Sequence, residues 1–484
     1  MDEADERISI LQPLGYSSST CGYCSEKGKR SATKSSKSYG CWAHALSAAT
    51  YKDLLDRGWR RSGDYMYKPD MGRTCCPQYT ISLDASQFRP SRSQRQILSR
   101  FNAFVQDGER EGQPGWGPAN AKKEGEDDKM RMPVSKKDAK GKGKANQNQR
   151  DWGELVYEAE WAKSREDKPF KHQFECILEP ASFSDEKYQL YKRYQMDVHG
   201  ESDAKVTPRG FQRFLCDSPL ELEVTRSPSF SYGSHHVLYR IDGKLIAIAV
   251  LDLLPQAVSS VYFVWDPDYS GMSLGKLSAL REAQMVREMQ DAGAWEGEGR
   301  YMMGYYIHSC PKMRYKADYQ PSFLLDPETN AYYPWSTCRP LLDASSPRVA
   351  SFSRPAPSFP TTAPAPATTP SNPAEASAEG GSPRVSGASN DEDDDTDGVS
   401  EEEDEDEDED EDGELPYPPP LGCYDPENLP KDLLLGAFVI ERRTLMPLLL
   451  SKAWHSPDTQ REAKELLATA GDAAKGKVAI WTGR

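Results

Sequence analysis

The 484-residue chain has little that a membrane-spanning or secreted protein needs. No stretch approaches the roughly 20 consecutive apolar residues of a transmembrane helix. No N-terminal segment combines a basic start, an apolar run and a small-residue cleavage site. The ten cysteines are unevenly spaced, so we expect thiols or metal ligands in a reducing compartment rather than disulfides. These absences favour a protein of the cytoplasm, with the nucleus as a second compartment, and no membrane partner. The sequence leaves the oligomeric state open, and we expect a monomer.

Charge and hydropathy indicate that only part of the chain is folded. Hydrophobic residues make up 37% of the sequence, 36 prolines and 35 glycines are present, and the mean hydropathy is −0.76. Much of the chain therefore cannot bury itself. The net charge is −16, but 18 of the 76 acidic residues lie at 391–412, and the rest has 60 basic against 58 acidic residues. This near balance leaves room for a local basic surface that binds RNA.

The chain is too long for one compact core, and its composition changes several times. We predict a cysteine-containing metal module at 1–106 and a disordered lysine-rich insert at 107–150. An α/β domain at 151–345 follows. A Pro/Ser-rich and then acidic linker at 346–414 is expected to be disordered, and a helical tail at 415–484 is expected to pack on the main body.

The clearest pattern of secondary structure lies in the segment 151–345. Two apolar, β-branched runs meet at Asp242-Gly243, a dipeptide typical of tight hairpins. A third strand, a helix that begins at Ser273 and a fourth strand follow. This order predicts an α+β fold with an acetyltransferase-like (GNAT-like) mixed sheet, whose last two strands can splay and admit a substrate. The predicted strands are 237–241, 245–254, 258–265 and 301–308.

The helix that begins at Ser273 is predicted to be amphipathic. Its leucines recur at helical spacing and should face a core, while its basic residues should face outward. The predicted outward set is Lys276, Arg281 and Arg287. In the N-terminal module we predict a helix at 42–55 and an extended segment at 78–83.

Three kinds of glycine-rich loop that bind nucleotides or CoA are missing from the sequence. The chain has neither a GxxxxGK[S/T] loop nor a Rossmann glycine fingerprint, so we expect no ATP chemistry. An acetyltransferase would have a glycine-rich pyrophosphate loop between its third strand and the helix. Here residues 266–273 contain one glycine and two carboxylates, which would repel phosphate. CoA is therefore not expected as a donor.

The N-terminal cysteines have the spacing of metal ligands. Cys21 and Cys24 form a C-x-x-C pair, and Cys75 with Cys76 can complete a tetrahedral set of four thiolates. Such a set suits zinc or an iron–sulfur cluster. Two alternatives stay open: the ligands are Cys21 and Cys24 with Cys41 and His44, or the adjacent cysteines are merely buried small residues.

Several long motifs resemble one known family. In the first half they are CGYC at 21–24, DRGWRRSG at 56–63, YKP at 67–69 and CCPQYT at 75–80. In the second half they are YRIDGKLIA at 239–247, SSVY at 259–262, SLGKLSALRE at 273–282 and YIHSCPKMRYK at 306–316. In this order they resemble the eukaryotic arginyl-tRNA–protein transferases, as a fungal-type member, over roughly residues 15–334 without the lysine-rich insert.

The resemblance implies an activity and a set of ligands. The family moves arginine from arginyl-tRNA to the N-terminal amine of proteins that begin with Asp, Glu or oxidised Cys, which creates a degradation signal for the ubiquitin system. Its metal set corresponds to Cys21, Cys24, Cys75 and Cys76. One departure is the run GSHHVL at 233–238, where Val and Leu replace two amides of the family pattern.

The implied reaction suggests roles for individual residues. Tyr306 and His308 are expected to orient the amine or relay its proton, and Asp252 is expected to bind the arginyl guanidinium. The acidic N-terminal residue of the protein substrate needs positive charge to bind it. Three alternating basic residues on one strand-like face and one histidine would supply that charge. The expected set is Lys312, Arg314, Lys316 and His236. For tRNA the expected contacts are Arg57, Trp59, Arg60, Arg61, Lys276 and Arg281.

Two other functions are compatible with the same fold. The chain could be a non-catalytic module that binds N-termini or senses metal, which would transfer no label from charged tRNA. It could also be a CoA-dependent acetyltransferase, which would turn over acetyl-CoA.

Overall fold

The computed structural model describes residues 7–25, 30–108, 151–160, 169–354 and 413–483. Most of the expected lysine-rich insert and of the expected Pro/Ser-rich and acidic linker lies outside these residues. The described part has a mixed α/β fold with one sheet of seven strands and one of nine, which confirms the predicted fold class. Within these ranges no helix is long and apolar enough to cross a lipid bilayer.

The strands of the two sheets come from different parts of the chain, and ten α-helices within the described ranges connect or cover them. The strands are β1 (Ser9–Ser19), β2 (Ser36–Ala45), β3 (Arg60–Ser62), β4 (Tyr65–Pro69), β5 (Tyr79–Asp84), β6 (Phe174–Pro180), β7 (Glu223–Val224), β8 (Ser231–Ile241), β9 (Lys244–Leu254), β10 (Ala257–Trp265), β11 (Arg300–Tyr306), β12 (Ser322–Leu325), β13 (Tyr332–Pro334), β14 (Phe438–Glu441), β15 (Thr444–Pro447) and β16 (Val478–Trp481). The helices are α1 (Ala48–Leu55), α2 (Arg92–Asp107), α3 (Trp152–Tyr157), α4 (Asp185–Tyr194), α5 (Pro208–Phe211), α6 (Leu274–Asp291), α7 (Pro311–Arg314), α8 (Trp335–Ser345), α9 (Lys431–Leu435) and α10 (Pro457–Ala470).

The nine-stranded sheet contains the predicted hairpin and its neighbours. Its order is β13-β12-β5-β11-β10-β9-β8-β6, and β7 pairs with β8. The hairpin of β8 and β9 turns at Asp242-Gly243, where both residues have positive φ, 50° and 81°. This confirms the expected tight turn. The predicted order of three strands, a helix and a fourth strand is also confirmed, while the likeness to acetyltransferases stays a prediction. In the structure β9 is antiparallel to β8 and β10, and β11 is parallel to β10.

The strands β10 and β11 part soon after they begin. They pair only from Ala257 to Ser259 against Arg300 to Met302, although both strands continue for several residues. Each strand has a bulge at the point of divergence, one near Val261 against β9 and one near Gly304 against β5. Because a bulge bends its strand, the two strands splay and leave a gap in the sheet.

The seven-stranded sheet combines the two ends of the chain. Its order is β15-β14-β16-β1-β2-β4-β3, with β16 parallel to β1. Residues 415–484 are therefore not a purely helical tail, because three of their segments complete this sheet. The expected packing on the main body is confirmed, since Leu433, Val439 and Leu448 are buried with Leu11 in one core.

The N-terminal segment also differs from the prediction. The helix expected at 42–55 is split, because its first residues belong to β2 and α1 begins only at Ala48, capped by Ser47. The segment expected to be extended at 78–83 is β5, but this strand lies inside the nine-stranded sheet between β11 and β12. The segment 1–106 thus supplies strands to both sheets.

Candidate active site and metal centre

A cavity of about 530 Å³ lies in the gap between the splayed strands. Its wall includes Ser259 to Phe263 of β10 and Met303 to Tyr305 of β11. The volume falls within the ~300–1,000 Å³ that is usual for ligand sites. The gap in the sheet, which the sequence predicts as a substrate entrance, is therefore present.

One face of α6 forms another part of the cavity wall. Gly275, Ser278, Ala279 and Glu282 line the cavity, and their spacing of three and four residues puts them on one side of a helix. Three of the four are small, so the helix can approach the cavity closely. Glu282 is the fourth, and it is only 2% exposed.

The basic residues after β11 are arranged on a helix and not on a strand. Pro311 begins α7, which continues as a 3₁₀ turn over Tyr315–Asp318. Lys312 and Lys316 therefore share one face and line the cavity, because residues four apart lie on the same side of a helix. Arg314 is absent from the cavity wall and donates its Nε–H to the His308 carbonyl at 2.7 Å. The strand-like face expected for all three is thus wrong.

Asp252 is buried against an arginine of the protein itself. Arg61 Nε and Nη2 donate to the two carboxylate oxygens at 2.8 and 2.6 Å, and Ser234 Oγ donates at 2.6 Å. Both side chains are almost fully buried, at 2% and 0% exposure. Asp252 does bind a guanidinium, but it is that of Arg61. The expectation that Asp252 binds the arginyl group of the substrate is therefore wrong.

Tyr306 and His308 lie on the other side of β11 from the cavity. Side chains alternate along a strand, so Tyr305 faces the cavity while Tyr306 packs against Trp335 and hydrogen-bonds His308 Nδ1 at 2.8 Å. Burial raises the pKa of Tyr306 to about 12 and lowers that of His308. Both groups are thus neutral near pH 7, with the second histidine nitrogen 3.0 Å from Asp343. Asp252, Tyr306 and Lys316 do not share one cleft, as only Lys316 lines the cavity.

His236 cannot belong to the basic set. It is fully buried on β8, where its Nδ1 lies 3.0 Å from Lys187 Nζ and its Nε2 lies 2.9 Å from the Leu215 carbonyl. Burial lowers its pKa to about 4, so the imidazole is neutral and accepts a hydrogen bond from Lys187. Its role is in packing the sheet against α4.

Most of the residues expected to contact tRNA are buried. Trp59 is 1% exposed and donates to the Thr469 carbonyl, while Arg60 and Arg61 are 7% and 6% exposed. The C-terminal segment covers Trp59, and Arg57 faces Asp472 of the same segment at 3.8 Å. Arg60 lies over the Tyr305 ring, and Arg61 pairs with Asp252. These four residues therefore do not form an open surface for phosphates, although Arg60 and Arg61 line the cavity.

The two residues of α6 expected to contact tRNA also differ from each other. Arg281 is buried, pairs with Glu160 at 2.5 Å and lies over the Tyr157 ring at 4.8 Å. Its expected outward orientation is wrong, because α3 covers this part of α6. Lys276 is half-buried and interacts with Asp318.

Four cysteines from two loops meet beside the cavity. The Sγ atoms of Cys21, Cys24, Cys75 and Cys76 all lie within 4.8 Å of one another, and Cys24 and Cys75 are 3.8 Å apart. Zn–S bonds of ~2.3 Å in a tetrahedron separate the sulfurs by about 3.8 Å. The cluster can therefore hold a metal, as the resemblance implies.

Polar groups around the sulfurs support this arrangement. Tyr23 N–H donates to Cys21 Sγ at 3.3 Å, and Ser35 Oγ donates to Cys75 Sγ at 3.2 Å. The hydrogen bond with Cys76 lowers the pKa of Cys21 to about 5, whereas burial and the nearby Cys21 raise that of Cys24 to about 11. The negative charge of one thiolate thus disfavours ionisation of a second cysteine beside it. A bound cation would compensate these charges and let all four cysteines ionise.

The alternative ligand set is excluded by distance and burial. Cys41 is fully buried in the core around β2, and burial raises the pKa of its thiol. His44 packs edge-on against Trp481 and hydrogen-bonds Gln12 at 2.8 Å. Within the described ranges, the His, Cys, Asp and Glu groups that could hold a metal comprise only the four-cysteine set.

The cysteine cluster and the cavity share part of their walls. Cys21 and Cys76 pack in one small core with Tyr305, Cys310 and Met313, and the last three also line the cavity. Gly22 and Tyr23, which lie between the first two cysteines, line it as well. Any change in the loops of the cluster would therefore alter the cavity.

Sequence reasoning missed Glu282 and the tyrosines of the cavity wall. The pattern that could have indicated Glu282 is the run of small residues before it on α6, since Gly275, Ser278 and Ala279 are poor core residues at helical spacing. Tyr305 could have been separated from Tyr306 by the alternation of strand side chains.

The same segments match models of one protein family. A model described as "Arginine-tRNA-protein transferase, N terminus" matches residues 19–96, and a model described as "Arginine-tRNA-protein transferase, C terminus" matches residues 186–326. The first range contains the four cysteines, and the second contains β8 to β11 with α6.

Curated relatives give the same result over a longer part of the chain. Arginyl-tRNA–protein transferase 2 of Arabidopsis thaliana is 32% identical, over 71% of this chain and 78% of that protein. Arginyl-tRNA–protein transferase 1 of Drosophila melanogaster is 31% identical, over 68% and 82%. An aspartate/glutamate leucyltransferase of Pseudomonas fluorescens is 27% identical, over 58% and 81%. As the sequence motifs indicate, the chain belongs to the arginyl-tRNA–protein transferase family.

Proposed function

We propose that this protein transfers arginine from arginyl-tRNA to the N-terminal α-amine of proteins that begin with Asp, Glu or oxidised Cys. The observation that carries the proposal is the cavity between β10 and β11, which has lysines on one element of its wall and a buried carboxylate on another. An acidic peptide end and a cationic arginyl group need these two opposite charges. Family membership supports the aminoacyl transfer itself.

The reaction makes modest chemical demands on the protein. The neutral amine attacks the ester carbonyl of the aminoacyl group, the new amide bond forms, and the ester C–O bond breaks. The ribose hydroxyl of the tRNA leaves and takes up the proton that the amine loses. The amine has a pKa near ~8, so a substantial fraction is neutral near pH 7, and positioning in the cavity can supply much of the rate enhancement.

Lys312 and Lys316 are proposed to bind the acidic side chain of the protein substrate. They share one face of the turn after β11 and line the cavity. Lys316 is 8% exposed, and a partly desolvated ammonium interacts more strongly with a carboxylate than a surface lysine does. Lys312 is exposed, so it can attract the substrate at the entrance.

The cysteine cluster is proposed to hold zinc or an iron–sulfur cluster. Cys21, Cys24, Cys75 and Cys76 would be the ligands, and four thiolates suit either group. A bound metal would fix the loops that contribute Gly22 and Tyr23 to the cavity wall. Its contribution is therefore expected to be the shape of the cavity, and the transfer chemistry remains with the substrates and the residues around them.

A transfer assay tests the proposal directly. Purified protein would be incubated with tRNA charged with labelled arginine and with a peptide that begins with Asp. We expect label in this peptide and none in a matched peptide that begins with Gln. No transfer to either peptide, or equal transfer to both, would contradict the proposal. Leucyl-tRNA as a second donor distinguishes arginine transfer from the activity named for the bacterial relatives.

A further inference from the structure

We infer that Glu282 binds the guanidinium of the arginyl group and thereby sets the preference for arginine as donor. This inference rests on the proposed function, because it concerns how the donor is held in the same cavity. A guanidinium is best bound by a carboxylate, which can accept two parallel hydrogen bonds from it. Asp252 is not available, since its carboxylate binds Arg61.

Among the residues that line the cavity, two have carboxylates, Glu201 and Glu282. Glu282 is 2% exposed on α6, and Glu201 is partly exposed in the loop after α4, although its Oε2 atom is buried. Discrimination between a cation and a neutral side chain is stronger at a buried carboxylate, because water screens it less. The position of Glu282 therefore fits a specificity site better than that of Glu201.

The carboxylate of Glu282 is held in a defined orientation. Tyr301 OH donates to its Oε2 at 2.6 Å, and Ser278 Oγ donates to its Oε1 at 2.5 Å. Both donors line the cavity as well. These donors orient the carboxylate, and a carboxylate can accept about four hydrogen bonds, so bonds from Tyr301 and Ser278 are compatible with a bound guanidinium. Such supported geometry is what a binding group needs.

The rest of the cavity wall fits the same assignment. Gly275, Ser278 and Ala279 precede Glu282 on its face of α6, and their small side chains leave room for the long arginyl chain. Tyr301 adds an aromatic ring next to the carboxylate, and guanidinium groups stack well on such rings. The lysines that are proposed to bind the acidic peptide end lie on the turn after β11, and Glu282 lies on α6. The peptide would therefore meet positive charge and the arginyl group negative charge, at different parts of the cavity wall.

Citrulline provides a test, since it has the shape of arginine but a neutral urea group. tRNA would be charged chemically with either amino acid, and kcat/KM for transfer to an Asp-initiated peptide would be measured for both. We expect the wild-type protein to prefer arginine at least ~10-fold, as a charge-assisted hydrogen bond predicts. The Glu282→Gln variant should lose most of this preference, mainly through the KM for arginyl-tRNA.

Two further variants make the outcome decisive. Glu201→Gln should keep the wild-type preference, and Glu282→Asp should keep part of it, since it retains the charge on a shorter side chain. If Glu282→Gln lowers kcat/KM for arginyl-tRNA and for citrullyl-tRNA by the same factor, the residue acts in folding or proton transfer. That result would overturn the inference. Loss of preference in Glu201→Gln alone would overturn it too. Absence of any transfer by the wild-type protein would instead refute the proposed function.

Discussion

Asp252 and Glu282 are both buried carboxylates, but their surroundings differ. Asp252 lies inside the sheet and is neutralised by Arg61, a residue of the same fold. Glu282 lies in the cavity wall, where hydroxyl groups hold it. The first arrangement makes the carboxylate part of the structure, and the second keeps it within reach of a ligand. Residue type and burial alone therefore do not identify a binding group.

The same contrast separates the basic residues. Arg61 and Arg281 form buried ion pairs with Asp252 and Glu160, and Arg61 also borders the cavity. Lys312 and Lys316 lie in the cavity wall on the turn after β11. The cysteine cluster belongs to both classes, since it is partly buried and also borders the cavity. Substitutions in the first class should mainly change stability, and those in the second should mainly change substrate preference.

The largest effect is expected at the cysteine cluster. Replacing Cys75 and Cys76 by Ser removes two of four ligands, and structural zinc sites can contribute on the order of 10 kcal/mol. We expect bound zinc and iron to fall to background in this double variant, as measured by elemental analysis, and its thermal stability to drop. Cys41→Ser is the control and should keep its metal. Equal metal content in both variants would reject the ligand set.

The next largest effect is expected for Asp252→Asn. This change leaves the buried Arg61 guanidinium without its counter-charge, and breaking such a pair costs about 3–5 kcal/mol. Urea unfolding should show this loss of stability, while the preference for arginine over citrulline in the remaining activity stays unchanged. A loss below about 1 kcal/mol, or an altered donor preference, would remove the distinction between Asp252 and Glu282.

A smaller effect is expected from the buried histidine on β8. The pKa of His236 is about 4 in the folded protein, and that of an exposed histidine is about 6.5. As pH falls, His236 therefore takes up a proton in the unfolded chain before it does so in the folded protein. The folded state loses stability as pH falls below about 6.5. Between pH 7 and pH 5 this amounts to about 2 kcal/mol. His236→Gln should show a shallower pH dependence in urea titrations, and an unchanged slope would contradict the assignment.

The smallest change in free energy is expected at Lys316, although it should be the clearest in specificity. Lys316→Glu should reduce kcat/KM for an Asp-initiated peptide by at least ~10-fold, because repulsion replaces a charge-assisted contact. The control is Arg314→Glu, which makes the same charge change outside the cavity. A similar loss in both variants would mean that net charge, and not the cavity, recruits the acidic substrate.

Much of the nine-stranded sheet could be predicted from the sequence because its signals are local. The turn at Asp242-Gly243 and the apolar runs around it fix the hairpin, and α4 begins after Ser184, a residue type that favours helix N-termini. The seven-stranded sheet could not be predicted in this way. It joins β1 with β16 across nearly the whole chain, and no local pattern encodes such a pairing.

The candidate site could be predicted only in part, for a similar reason. The spacing of the cysteines indicates metal ligands and leaves two sets open, the family resemblance selects one set, and its four cysteines do cluster. Whether a charged residue forms an ion pair within the fold depends on residues far away in sequence, as the pair of Arg61 and Asp252 shows. The sequence names the residue types that the chemistry needs, but the long-range contacts of the fold decide where each of them lies.

The most direct test is a crystal structure of the protein with a stable donor analogue, an adenosine that has arginine attached through an amide at the 3′ position. We expect the arginyl group between β10 and β11, with its guanidinium within hydrogen-bond distance of Glu282. An analogue bound outside this cavity, or a guanidinium that does not contact Glu282, would contradict the account.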